Sequence, residues 1–129
     1  MQEALESIYT RFVADADLSG AVTGMWQTEA PPKTVFPYIT THLVSNNPLW
    51  VFPAKAMENL LIQFSIFSDT VADTEVNRIY RYLTVAYDNV NLTVCGHACV
   101  MMKRENAGLM RNDEVWQYAV TYRLMAQAR

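Results

Sequence analysis

Leu60–Asp88, LLIQFSIFSDTVADTEVNRIYRYLTVAYD, changes its hydrophobic period midway, and that change decides the fold. In its first eight residues Leu60, Ile62, Phe64 and Ile66 alternate with Leu61, Gln63, Ser65 and Phe67. A period of two is that of a pleated strand. From Ala72 onward, Val76, Ile79, Tyr80, Leu83, Ala86 and Tyr87 recur at spacings of three and four, the stripe of an amphipathic helix. The switch falls at Ser68-Asp69, where either side chain is suited to accept an amide proton of the first turn. Asp69, Asp73 and Glu75 precede Arg78 and Arg81, the order that the helix dipole favours. A strand therefore feeds a helix whose apolar stripe folds back on the sheet. This specifies architecture and no chemistry.

Upstream, Leu5, Ile8, Tyr9, Phe12, Val13 and Ala16 predict an N-terminal helix, interrupted at Asp17–Gly20. A short turn over Ala21–Met25 leads to a brief strand near Met25–Gln27. Glu29–Lys33 with its paired prolines is a loop. Phe36–Val44 reads as a strand, with Pro37 tolerated near its start. Ser45–Lys55 holds Pro48 and Pro53 among Leu49, Trp50 and Phe52, so it is neither a helix nor an ordinary solvated loop. Downstream, Asn89–Val94 is a short strand, Gly96 a bend, His97–Glu105 a strand and Asn106–Asp113 a connecting loop. Val115–Ala126 is the longest alternating run, with Trp116, Tyr118, Val120, Tyr122 and Leu124 on one face. This order predicts an α+β domain of two layers. An antiparallel or mixed sheet of about four to six strands carries two helices on one face.

The chain of 129 residues is one domain, 1–129, long enough to bury a core. A net charge of −3 argues against a nucleic-acid binder that works by neutralising phosphates, and so against sequence-specific DNA contact. No apolar run reaches the roughly 18 residues of a membrane span, and the first residues lack a signal-peptide pattern. Two cysteines without a secretion signal suit free thiols in a reducing cytoplasm.

The phosphate-loop, dinucleotide, nucleophile-elbow and HExxH patterns are all absent. His42 and His97 both fall in predicted strands. Cys95-Gly96-His97-Ala98-Cys99 alternates three soft ligands, but on a strand neighbours on one face stand about 6.7 Å apart. Ligands of one tetrahedral zinc lie within roughly 4 Å of each other, so buried thiols are the expectation here. No catalytic residue, metal or cofactor is expected. The candidates are instead residues of an assembly interface. Trp50, Phe52 and Lys55 lie in the proline-punctuated connection, where large aromatics either plug the core or anchor a partner. Arg104, Met110 and Arg111 lie in or beside the later loop and are of types enriched in interface cores. A rival reading is a small ligand-binding domain or enzyme whose pocket uses His97, Cys99 or Tyr122, although the full constellation for catalysis is missing.

Four pieces in register resemble the tail-terminator (tail-completion) family of long-tailed bacteriophages and prophages, the group that includes the minor tail protein U of phage lambda. They are the helix ALESIYTRFVADADLSGAV (4–22) with the loop EAPPKT (29–34), then FPYIT (36–40). The strand QFSIFSD (63–69) follows, leading into the helix that ends at YD (87–88), and last comes VWQYAVTYRLMA (115–126). The aromatic insertion Asn46–Pro53 and the Cys-Gly-His-Ala-Cys segment depart from the family pattern. The resemblance implies a non-enzymatic virion protein, assembled in the host cytoplasm and located at the head-proximal end of the tail. It would form a ring, typically a hexamer, that stops polymerisation of the major tail-tube protein and presents a surface to a head-completion or connector protein. Another phage head–tail connector or head-completion protein is the alternative of the same kind.

Overall fold

The alternation that begins at Leu60 belongs to a longer strand, β4 (Lys55–Ser68), which lies at the centre of a seven-stranded sheet. The computed structural model describes residues 2–47, 49–51, 55–92 and 97–128; at 49–51, 55–57, 91–92, 97–100 and 127–128 it describes the backbone alone. In chain order the elements are α1 (Gln2–Ala14), α2 (Ala16–Ala21), β1 (Met25–Gln27), β2 (Tyr38–Asn46), β3 (Leu49–Val51) and β4. They continue with α3 (Thr74–Tyr87), β5 (Asn91–Leu92), β6 (His97–Asn112) and β7 (Val115–Ala128). The strands are ordered β1-β2-β4-β7-β6-β5, and β3 adds to β4 beyond the end of β2. The β1–β2 pair is parallel and every other pair is antiparallel, so the α+β sheet is mixed.

Register explains the core. Leu60, Ile62 and Phe64 stand opposite Leu124, Tyr122 and Val120 of β7, and Met102 of β6 stands opposite Leu124. All seven are fully buried, because this is the face that the helices cover. Ala4, Leu5, Ile8 and Phe12 come down from α1, Leu18 from α2, and Val76, Ile79, Leu83 and Tyr87 from α3. The Phe64 ring lies 4.9 Å from that of Tyr87 and 5.5 Å from that of Tyr122. The Tyr87 hydroxyl donates to the Ile8 carbonyl at 2.7 Å, and Arg11 Nε donates to the Ala86 carbonyl at 2.5 Å. These bonds fasten α1 to the end of α3.

Several elements differ from the sequence expectation, each for a local reason. The helix begins at Thr74 with Asp73 as its N-cap residue, and neither Ser68 nor Asp69 caps it. Ser68 is still on the core face of β4, fully buried, and donates to Glu75 Oε1 at 2.7 Å. Ala72 is exposed and precedes the helix. The interruption at Asp17–Gly20 is instead a second short helix, because Asp15 accepts the Leu18 N–H at 3.0 Å and Leu18 seats in the core. On α1, Tyr9 and Val13 are 51% and 59% exposed, so the buried stripe is narrower than the apolar one. The first long strand runs over 38–46 rather than 36–44. Within Ser45–Lys55, Ser45 and Asn46 end β2, and Leu49–Val51 is the strand β3, paired antiparallel with Lys55–Met57.

The largest revision concerns Asn106–Asp113. It is strand through Asn112, and only Asp113-Glu114 form the turn, with Asp113 at φ 56°. Asn106, Gly108 and Asn112 look like turn residues, yet each finds a partner on β7, after a bulge between Arg104 and Asn106. A bulge accommodates one extra residue without ending the ladder.

Burial pushes the phenols of Tyr87 and Tyr122 well above the usual tyrosine value, with the Asp88 hydrogen bond a second cause for Tyr122. The folded chain therefore holds protons that the unfolded chain releases. Stability should be level up to about pH 10 and fall above it, where unfolded tyrosines ionise. Tyr87→Phe should lose about 1 kcal/mol at neutral pH through the Ile8 bond and show a shallower alkaline decline. Urea midpoints from pH 7 to 11 measure both, and an unaltered alkaline slope would count against this account.

Candidate functional site

The six candidate interface residues do not form one site. Trp50 pairs with Ala56 and Val51 with Lys55 at the far end of the β3–β4 ladder. Phe52 lies outside the described residues. Met110 and Arg111 lie at the other end of the sheet, in register through β7 with Phe67 and Ser68. The twelve or so residues of β4 between these ends span about 40 Å. Arg104 lies between them along β6.

The residues on β6 are also divided between the two faces of the sheet. Arg104 and Arg111 are on the helix-covered side and are engaged within the chain. Arg104 donates to the Tyr80 hydroxyl at 2.6 Å and pairs with Asp88 at 3.4 Å. Its guanidinium lies 5.7 Å from the centre of the Tyr80 ring, which stacks on Tyr118 at 4.1 Å. Asp88 also accepts the Tyr122 hydroxyl at 2.6 Å, so an arginine, a carboxylate and two tyrosines bind the end of α3 to the outer strand. Arg111 lies 4.8 Å from the centre of the Trp116 ring and 3.4 Å from the Val71 carbonyl. Met110 alternates to the other face and is 49% exposed. Of these three, Met110 is the one whose side chain is free for a partner. The network through Tyr80 and Asp88 was not legible in the sequence, since Tyr80 reads as one more residue of a helix stripe.

The middle rows of the face away from the helices are neutral and mostly polar. His42, Gln63, Thr121 and Asn106 form one cross-strand row, and Thr40, Ser65, Ala119 and Gly108 the next. Gln63 Nε2 donates to Ser65 Oγ at 3.0 Å. Arg123 donates to Asn59 at 2.6 Å and pairs with Glu105, whose carboxyl that bond holds below its usual range. At one corner Trp26, Phe36, Tyr38 and Phe67 cluster, with Tyr38 and Phe67 5.0 Å apart. The 28–34 loop borders them, leaving a groove of about 440 Å³.

Both edges of the sheet are open among the described residues. β5 pairs with β6 only at Val100 and Met101, so Lys103–Asn112 has a partner on one side alone. At the opposite edge β1 ends at Gln27, opposite Thr41, and β2 continues to Asn46 without an outer partner. Between α1 and that edge runs a groove of about 520 Å³, walled by Leu5, Glu6, Tyr9 and Thr10 on one side and Met25 and Thr41 on the other.

Tyr122 is fully buried with its hydroxyl committed to Asp88. Cys95 lies outside the described residues, and His97 and Cys99 are described by backbone alone, so the Cys-Gly-His-Ala-Cys segment has no described side-chain geometry. Among the described residues no three His, Cys, Asp or Glu side chains are grouped so as to hold a metal ion.

No protein-family model matches this chain, and no curated protein does either. Solved structures match its fold. One is a chain of the virion of a native gene transfer agent particle, with a TM-score of 0.76 and 16% identity over 94% of this chain and 92% of that one. A second, known by a sequence identifier alone, gives a TM-score of 0.65 and 11% identity over 97% and 96% of the two chains. The likeness is one of fold, and it covers nearly the whole length of each chain.

The geometry separates a structural residue from a free one. Arg104→Ala should lower stability by about 1 kcal/mol, given a half-exposed ion pair and one charged hydrogen bond. Met110→Ala should change it by less than about 0.5 kcal/mol, as an exposed substitution away from the core. Thermal melts of the two variants beside the parent give the comparison, and equal losses would show that Met110 packs within the chain.

Proposed function

We propose that this protein is a structural component of a phage-like particle and that it terminates the tail. Copies of the chain close into a ring, six in our proposal, on the head-proximal end of the tail tube. One face of the ring complements the last ring of the major tail-tube protein, while the other cannot accept a further tube subunit and receives the head-completion or connector protein. The role requires shape and no catalytic step, so no residue is assigned to chemistry.

The observation that carries this reading is the fold match to a virion chain over almost the full length of both proteins. The tail-terminator role within that class is supported by the sequence resemblance across the N-terminal helix, the Pro-Tyr strand, the strand–helix unit and the last strand. Two open sheet edges supply unlike surfaces on opposite sides of one subunit. A contact between unlike surfaces repeats from copy to copy and makes a ring when its rotation closes.

Deleting the gene from a particle-producing strain tests the assignment. Tails of irregular and excessive length, unattached to heads, are the expected product in electron micrographs. Tails of normal length beside filled, unjoined heads would instead indicate a head-completion or connector protein. Normal joined particles would remove the protein from the assembly pathway.

A further inference from the structure

We infer that adjacent copies of this chain meet through the helix layer as well as the sheet, with Arg78 and Arg81 on α3 of one copy facing Glu3 and Glu6 on α1 of the next. This contact presupposes the ring proposed above and names the surfaces that hold it.

The order of strands dictates which helices become neighbours. α1 borders the β1 edge, where the side-chain amides of Gln2 and Gln27 bond reciprocally at 3.3 and 3.1 Å. α3 borders the β6 edge, where Tyr80 meets Arg104 and Tyr118. All three helices contribute to a single core on one face of the sheet. Bringing the open edge of β6 against the β1–β2 edge of another copy therefore brings α3 of the first beside α1 of the second.

Their free charges are opposite. Glu3, Glu6, Arg78 and Arg81 are all exposed, and none makes an ion pair with a described residue. The acids are on α1 and the bases on α3, while the one arginine of α1, Arg11, is turned inward onto the Ala86 carbonyl. Each helix also exposes apolar side chains that its own fold leaves uncovered: Tyr9 and Val13 on α1, and Val85, 76% exposed, on α3. Glu6 and Tyr9 form the outer wall of the groove beside β1. Arg78 and Arg81 border a shallow depression of about 440 Å³ on α3. Asp73 lies at the same depression, so the complement rests on the two arginines: Glu3 and Glu6 of a second copy are opposite to them in charge, and both helices carry exposed apolar side chains as well. Like copies placed α1 to α1 or α3 to α3 would set like charges together, so the pairing also imposes head-to-tail order.

Charge reversal tests the contact in the full-length chain. An Arg78→Glu, Arg81→Glu variant and a Glu3→Lys, Glu6→Lys variant should each self-associate roughly tenfold or more weakly than the parent in sedimentation at low salt. The four substitutions combined in one chain should restore association. Circular dichroism should show all three folded, because the substituted residues are exposed. A parent that associates equally well with either reversal in place would overturn this contact and leave the ring standing. Reversals that weaken association without rescue by the fourfold variant would overturn the pairing of these charges. A parent that stays monomeric at every concentration would remove both the contact and the ring.

Discussion

Phe64 holds the two layers of this protein together. It projects from the central strand between Tyr87 of α3 and Tyr122 of β7, with ring centres 4.9 and 5.5 Å away. Each tyrosine then carries a hydroxyl out of that aromatic centre to a different part of the chain. Tyr87 reaches the Ile8 carbonyl and so fixes α1. Tyr122 reaches Asp88, which also holds Arg104, and Arg104 in turn bonds Tyr80. A packed aromatic trio with polar exits at both ends couples the N-terminal helix, the long helix and the outermost long strand. A buried hydroxyl without its acceptor costs more than the bond itself is worth, so these links also specify how the layers sit.

The consequence for function is positional. The helices cover one face of the sheet and, among the described residues, leave its two edges open, so edges and the exposed outer sides of the helices are both available to a larger assembly. The β6 edge is not a bare template for aggregation. Lys103, Arg104 and Glu105 lie along it, with a bulge before Asn106, and charges and bulges on an edge restrict unplanned pairing. An edge guarded in this way admits a partner only when the surfaces beside it also match. The opposite charges of α1 and α3 are suited to supply that second condition, which is how a single heterologous contact could be made selective for one orientation.

Much of this architecture was legible in the residues. The switch of period at Ser68-Asp69 announces a strand running into a helix, and the alternation through Trp116–Leu124 announces the strand beside it. The parts that were not legible have physical reasons. Asn106, Gly108 and Asn112 have the chemistry of turns, and only the long partner strand β7 makes them strand. The pairing of Leu49–Val51 with Lys55–Met57 was not legible either, because three residues are too few to show a strand period. Ser68 resembles a helix cap but is retained by the core face of β4 and bonded to Glu75. Among the candidate interface residues, Arg104 and Arg111 have the right types for a partner, yet their guanidiniums rest on Tyr80 and Trp116 of the same chain. Residue type does not reveal whether a side chain is already engaged.

The central claim is that this chain forms a closed ring at the junction of tail and head. Cryo-electron microscopy of intact particles addresses it directly, since a mixed sheet with three helices on one face is recognisable in a density map. The account predicts one ring of this fold between the last tube ring and the head connector, with β6 of each subunit beside the β1–β2 edge of its neighbour. The same fold found in the capsid shell or at the distal tip, or no copy in the mature particle, would contradict it.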